Sequence, residues 1–183
     1  IMNNAPVLAN LNGDSIAWPG TGNTVILDAG ANAAVSDAEL DALNGGNGDY
    51  AGSSLSVQRT GTATANDTFG FNTPGALFTV SGNNLQSGGQ TFATFTNTVG
   101  VLTIAFNSSG TIATQTLVNN VLQRINYSND TPAGDASLRF TFSDGSVSAT
   151  ANVTVTSDII YITNSSDTGT IDISNGVSLS EAV

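Results

Sequence analysis

Short stretches in which apolar and polar residues alternate, cut apart by clusters of Gly, Asn, Asp and Ser, recur along the whole of this 183-residue chain. A two-residue period places successive side chains on opposite faces, which an extended strand satisfies and a helix does not. The runs are read as strands near Val7–Leu11, Ile16–Trp18, Thr24–Leu27, Leu55–Arg59, Phe69–Phe71, Leu77–Ser81, Gln90–Asn97, Val101–Phe106, Arg124–Tyr127, Ser137–Ser143 and Ser146–Thr156. Ser143-Asp-Gly-Ser146 reads as a two-residue hairpin turn, because Gly accepts the positive φ of a primed turn. One segment departs from the pattern. Leu117, Val118, Val121, Leu122 and Ile125 recur at helical spacing, which predicts a short crossover helix over Thr114–Arg124 with Leu117, Val121 and Leu122 buried and Asn119, Asn120 and Gln123 exposed. The expected fold is all-β, an antiparallel sandwich of roughly seven to ten strands with one short helix. Its core is expected to be built on Phe69, Phe71, Phe78, Phe92, Phe95, Phe106, Phe140 and Phe142.

Composition then limits the chemistry. There is no cysteine and no histidine, and the three basic residues, Arg59, Arg124 and Arg139, stand against 14 acids for a formal net charge of -11. So few cations cannot neutralise a run of phosphates, which excludes nucleic acid and anionic membrane as partners. Zinc, haem and iron–sulfur sites lack their usual imidazole and thiolate ligands. Ser-His-Asp, Cys-His and lysine mechanisms are removed in the same way, leaving carboxylates, amides, hydroxyls and carbonyls. A pair of carboxylates alone serves some glycosidases, but the scattered Trp18, Tyr50, Tyr127 and Tyr161 do not compose an aromatic cleft, so no catalytic residues are expected. No apolar run reaches membrane-spanning length, and Ile-Met-Asn-Asn-Ala-Pro at the start does not read as a signal peptide. The two ends read as cuts in a longer chain. Low charge with abundant Thr, Ser and Asn and no cysteine fits a secreted bacterial β-protein.

The acids are concentrated. Asp28, Asp37, Glu39, Asp41 and Asp49 lie close together in sequence, with Asn32, Asn44 and Asn47 among them. Like charges so close raise one another's pKa unless a cation sits between them, and calcium takes six to eight oxygen ligands in flexible geometry. Two readings stay open for this stretch: a calcium site or a solvated acidic loop. Asp144 is a hairpin residue or a second ligand at one pole of the sandwich. Asp14 reads as a turn residue, and Asn129-Asp130 as an Asx turn before Thr131-Pro132. Trp18 and Tyr50 are either packing residues or platforms for a sugar. Arg124 and Arg139 are expected to pair with acids or cover apolar surface.

Several motifs occur in a fixed order: Asn4-Ala-Pro-Val-Leu8, Val35-Ser-Asp-Ala-Glu-Leu-Asp41, Leu122-Gln-Arg-Ile-Asn-Tyr-Ser128, and Phe140-Thr-Phe-Ser-Asp-Gly-Ser146 with Val153-Thr-Val155. Together, over Asn4 to about Thr156, they resemble the cadherin-like and immunoglobulin-like repeats of giant bacterial surface and type I-secreted (RTX-type) adhesins, and are similar to chondroitin sulfate proteoglycan repeats. The resemblance implies an immunoglobulin- or cadherin-like sandwich over residues 1–156. It also implies calcium stabilisation, for which the expected ligands are a subset of the clustered Asp28, Asp37, Glu39, Asp41 and Asp49, with Asp144. Residues 157–183, where alternation restarts at Ser157–Thr163 and Gly169–Ser174, are read as the start of a following module or a C-terminal β-hairpin extension. The function implied is that of an extracellular structural or adhesive repeat whose partners are neighbouring repeats of the same chain and a cell-surface glycan or protein. The alternative is a carbohydrate- or ligand-binding module, in which Asp41–Ala51 and Gly82–Gln90 form a polar groove beside an exposed Trp18 or Tyr50.

Overall fold

A computed structural model describes residues 3–130 and 134–157. The expected C-terminal module or hairpin after Ser157 lies outside the described residues. Within them the strands are β1 (Val7–Ala9), β2 (Ser15–Ala17), β3 (Val25–Ile26), β4 (Ala34–Ser36), β5 (Ser54–Arg59), β6 (Asp67–Phe71) and β7 (Thr79–Ser81). They continue with β8 (Asn84–Ser87), β9 (Gln90–Thr98), β10 (Val101–Phe106), β11 (Ile125–Asn129), β12 (Ala136–Ser143) and β13 (Ser148–Thr156). Two α-helices interrupt the series, α1 (Ala38–Asp41) and α2 (Gln115–Leu122).

The protein is all-β in multi-stranded sheets. Eight strands form one sheet in the order β2-β13-β12-β5-β10-β9-β8-β7, a second sheet runs β3-β11-β6, and β1 pairs with β4. Alternation decides which face is inside. On β10 Leu102, Ile104 and Phe106 are buried while Thr103 and Ala105 are exposed, and on β12 Leu138, Phe140 and Phe142 are buried while Ser137 and Arg139 are exposed. These inward rows meet Phe69, Ile125 and Tyr127 of the small sheet in a single core. Each buried Phe or Leu there stabilises the fold by about 1.5–3 kcal/mol. Of the eight expected core phenylalanines, six are buried; Phe71 and Phe95 are partly buried and pack edge-to-face with each other at 5.1 Å between centroids.

Four local readings are corrected. The large sheet is not wholly antiparallel, since β2 lies parallel to β13, Ile16 opposite Val155. The hairpin between β12 and β13 pairs Ser143 with Ser148, so four residues, Asp144 to Val147, form its loop rather than two. Gly82–Gln90 is not a groove-forming loop, because it contains β8, which pairs with both β7 and β9. Asn119, Asn120 and Gln123 of the α2 region are half-buried instead of solvated. Asn119 Oδ1 accepts from the Val35 N–H at 2.8 Å, Asn120 Oδ1 from the Leu77 N–H at 2.8 Å, and Gln123 Nε2 donates to the Ala33 carbonyl at 2.9 Å. The polar side of α2 thus satisfies backbone groups of the segments beside it, while Leu117, Val118, Val121 and Leu122 enter the core as the helical period requires.

The β9–β10 turn holds a local conflict. Val99 has φ 53° and is 64% exposed, followed by Gly100 at φ 72°. A β-branched residue in the left-handed region is strained, whereas Asn adopts it readily. Gly100 is obligatory, because any Cβ there would run into the Thr64 carbonyl. Val99→Asn is therefore expected to raise stability by about 0.5–1 kcal/mol, read from the urea midpoint; an unchanged or lowered midpoint would mean that the valine side chain stabilises the turn.

Candidate functional site

The acidic stretch folds around α1 because Asp37 caps it. With φ -150° its backbone is extended, and its Oδ1 accepts from the N–H groups of Glu39 (3.1 Å) and Leu40 (2.9 Å). One helical turn then sorts the acids by face. Asp41, four residues on, returns beside Asp37 and accepts its N–H on Oδ2 at 3.1 Å, while Glu39 is carried elsewhere. Asp41 Oδ1 accepts from the Tyr50 hydroxyl and from Gln115 Nε2 at 2.9 Å. Burial first, and the Asp41 carboxylate second, push the Tyr50 phenol far above its ordinary value. Asp37 is only 2% exposed, and its Oδ2 has no hydrogen-bond partner. A buried carboxylate oxygen without a donor is costly unless a cation or a proton meets it.

Glu39 faces the start of the chain, accepting from the Asn4 N–H (3.3 Å) and from Asn4 Nδ2 (2.8 Å). The adjacent Asn3 donates through Nδ2 to Asp144 Oδ2 at 2.8 Å. Two consecutive asparagines therefore tie Glu39 and Asp144 to one pole of the molecule. Asp144 also accepts from the N–H groups of Ser146 and Val147 on Oδ1. The Val147 bond foremost, with those from Asn3 and Ser146, holds its carboxyl below the usual carboxylate value.

Asp28 and Asp49 are occupied by their own turns. Asp28 is buried and accepts from Gly30 and Ala33 N–H groups. Burial, aided by the nearby Asp14, outweighs these bonds and raises its pKa. Asp49 Oδ1 takes the Ala51 N–H and the Ser108 hydroxyl. The six sequence-selected acids thus resolve into a pair (Asp37 and Asp41), a bridged couple (Glu39 and Asp144) and two turn acids. Among the described residues no three acidic or other metal-ligating side chains converge on one point. The oxygens that could meet a cation are therefore dispersed, the spare Oδ2 of Asp37 in one place and the half-buried carboxylates of Glu39 and Asp144 beside Asn3 and Asn4 in another.

No family model, curated protein or solved structure matches this chain. Its contacts also revise other sequence-selected residues. Trp18 is 4% exposed with Nε1 donating to the Asn23 carbonyl, and Tyr50 is fully buried, so neither is a platform at the surface. Among the described residues Arg124 pairs with no acid; its guanidinium donates to the carbonyls of Pro74 and Gly75. Asn129 is a buried partner of Asp67, its Nδ2 donating at 2.7 Å; the expected Asx turn runs into residues 131–133, outside the described residues. Asp67 itself accepts two bonds from Arg59, at 2.7 and 2.9 Å, and one from the Tyr127 hydroxyl at 2.7 Å. This network joins β5 of the large sheet to β6 and β11 of the small one.

Proposed function

We propose that this chain is an extracellular, calcium-stabilised structural or adhesive module of a large bacterial surface or secreted protein, with an immunoglobulin- or cadherin-like sandwich and no catalysis of its own. Its partners in this reading are neighbouring repeats of the same chain and a surface glycan or protein. The observation that supports it is the placement of Asn3 and Ser157 at opposite ends of β13. Asn3 lies against Asp144, in the loop before that strand, and Ser157 directly follows its last residue. Nine extended residues separate these poles, a span of about 30 Å. Load and orientation would pass through such a module from one end to the other. The buried Asp37 Oδ2 without a donor and the carboxylates of Glu39 and Asp144 at the inlet pole support the calcium part of this reading. The buried Trp18 and Tyr50 favour this over the carbohydrate-binding alternative.

After chelation, millimolar calcium is expected to raise the melting temperature, since a ligand bound only to the native state at a hundred times its Kd adds about 2.7 kcal/mol. Asp37→Asn should remove most of that rise. Small-angle scattering on two copies fused end to end should give an extended particle that stiffens with calcium. A melting temperature indifferent to calcium together with a compact particle would overturn the proposal.

A further inference from the structure

We propose that the open seam between β2 and β3 takes up an extended, basic segment from outside these 183 residues as an added strand on the β2 edge. A cleft of about 600 Å³ lies there, lined by the whole of β2 (Ser15, Ile16, Ala17), by Ile26 of β3, and by Asp28 and Ala29 of the turn after it. Both strands are the last in their sheets, so among the described residues each has one side without a neighbour. The bonds of β2 fix which groups are free. The Asp14 carbonyl accepts from Thr154 and the Trp18 N–H donates to Thr156, so residues 14, 16 and 18 turn their backbone toward β13. The N–H and C=O of Ser15 and Ala17 point the opposite way, and both residues are exposed. On β3 the Leu27 N–H donates to Ile125, which turns the Ile26 backbone away from β11. An incoming strand would find a row of donors and acceptors at strand spacing, the arrangement used in β-augmentation.

Charge selects the kind of strand. Asp14 and Asp28 lie close enough to repel, with Asp14 Oδ2 accepting the Ala29 N–H at 2.9 Å and Asp28 on the cleft wall. Arg124, also on the wall, is held by the Pro74 and Gly75 carbonyls. A Lys or Arg side chain on the added strand would sit between the two carboxylates. A second copy of these 183 residues cannot supply it. It has no lysine, Arg59 and Arg139 lie inside paired strands, and Arg124 ends a helix. The occupant is therefore a basic segment from outside these 183 residues, and this inference stands apart from the calcium reading.

The test uses the ¹⁵N-labelled chain titrated with N-acetyl-Thr-Val-Lys-Val-Thr-amide and with its Glu counterpart. Saturable amide shifts are expected at Ser15, Ala17, Ile26 and Ala29 with the Lys peptide and not with the Glu peptide. Ala17→Pro removes an edge donor that the β2–β13 ladder does not use, so the fold should persist while affinity falls at least about tenfold. Asp14→Asn keeps an acceptor for Ala29 and should narrow the difference between the two peptides. No saturable shift with either peptide would overturn the proposal. So would Lys-peptide binding that Ala17→Pro leaves unchanged, which would reduce it to attraction by an acidic protein.

Discussion

Asp67→Ala is expected to lower the unfolding free energy by about 3–5 kcal/mol, the usual cost of removing one partner from a buried ion pair. The Asp67 side chain is fully buried against the partly exposed Arg59. Its loss leaves the guanidinium, the Tyr127 hydroxyl and the Asn129 amide without the carboxylate they all donate to. Urea denaturation measures the change; a loss under about 1 kcal/mol would show that water replaces the carboxylate at little cost. The pH dependence has a definite sign. Burial raises the Asp67 pKa, but bonds from Arg59, Tyr127 and Asn129 outweigh it and hold the carboxyl below its ordinary 3.8. The stabilisation is therefore complete above pH 3.8 and is lost as pH falls through the lower folded value. Asp67→Ala should flatten the acid limb of the stability curve in that range. Asp28, raised by burial, contributes with the opposite sign, so Asp28→Asn should make the acid limb steeper. Tyr127, pushed up to about 12 by burial and then by Asp67, stays a protonated donor throughout.

Phe142→Ala should cost a similar amount, about 3–5 kcal/mol. This ring is fully buried near the β12–β13 loop, touching Phe106 at 6.4 Å between centroids and the edge of Tyr50 at 5.9 Å. Removing it opens a cavity directly under the tyrosine that donates to Asp41. Besides the lost stability, the variant is expected to show faster amide exchange at Asp37 to Asp41 than a core change elsewhere, such as Leu85→Ala. Equal exchange in the two variants would mean that the acidic turn is held by its own bonds and not by the core beneath it.

Local information reached as far as local causes operate. The strands β10, β12 and β13 were legible because their buried faces impose a strict period of two, and α2 because Leu117, Val118, Val121 and Leu122 impose the other period. The four-residue α1 was missed, since one turn cannot show a period; the cue available was Asp37 preceding Glu39 and Asp41, an N-cap followed by first-turn acids. β8 was hidden by its glycine and asparagine borders, which read as one long loop. The inlet cluster was legible only in part. Spacing singled out Glu39 and Asp144, but nothing local says that Asn3 will meet a residue 141 positions away. The Arg59–Asp67 pair, like the parallel partnership of β2 with β13, exists only once the sheets have closed.

The first and last of the described strands have unequal roles under tension. The segment that carries β1 runs beside β13 in the same direction, from Asn3 near Asp144 to Asn12, whose Oδ1 accepts from the Asn152 N–H. A pull applied at residues 3 and 157 therefore acts lengthwise on both strands, in shear, so the bonds of each ladder must fail together and not one after another. The ladders differ in length: β13 has eight residue pairs with β12 and three with β2, whereas β1 has three with β4. The three-pair β1–β4 ladder is therefore expected to yield before the eight-pair β12–β13 ladder, and slack released at β1 would lengthen the chain while β13 stays paired.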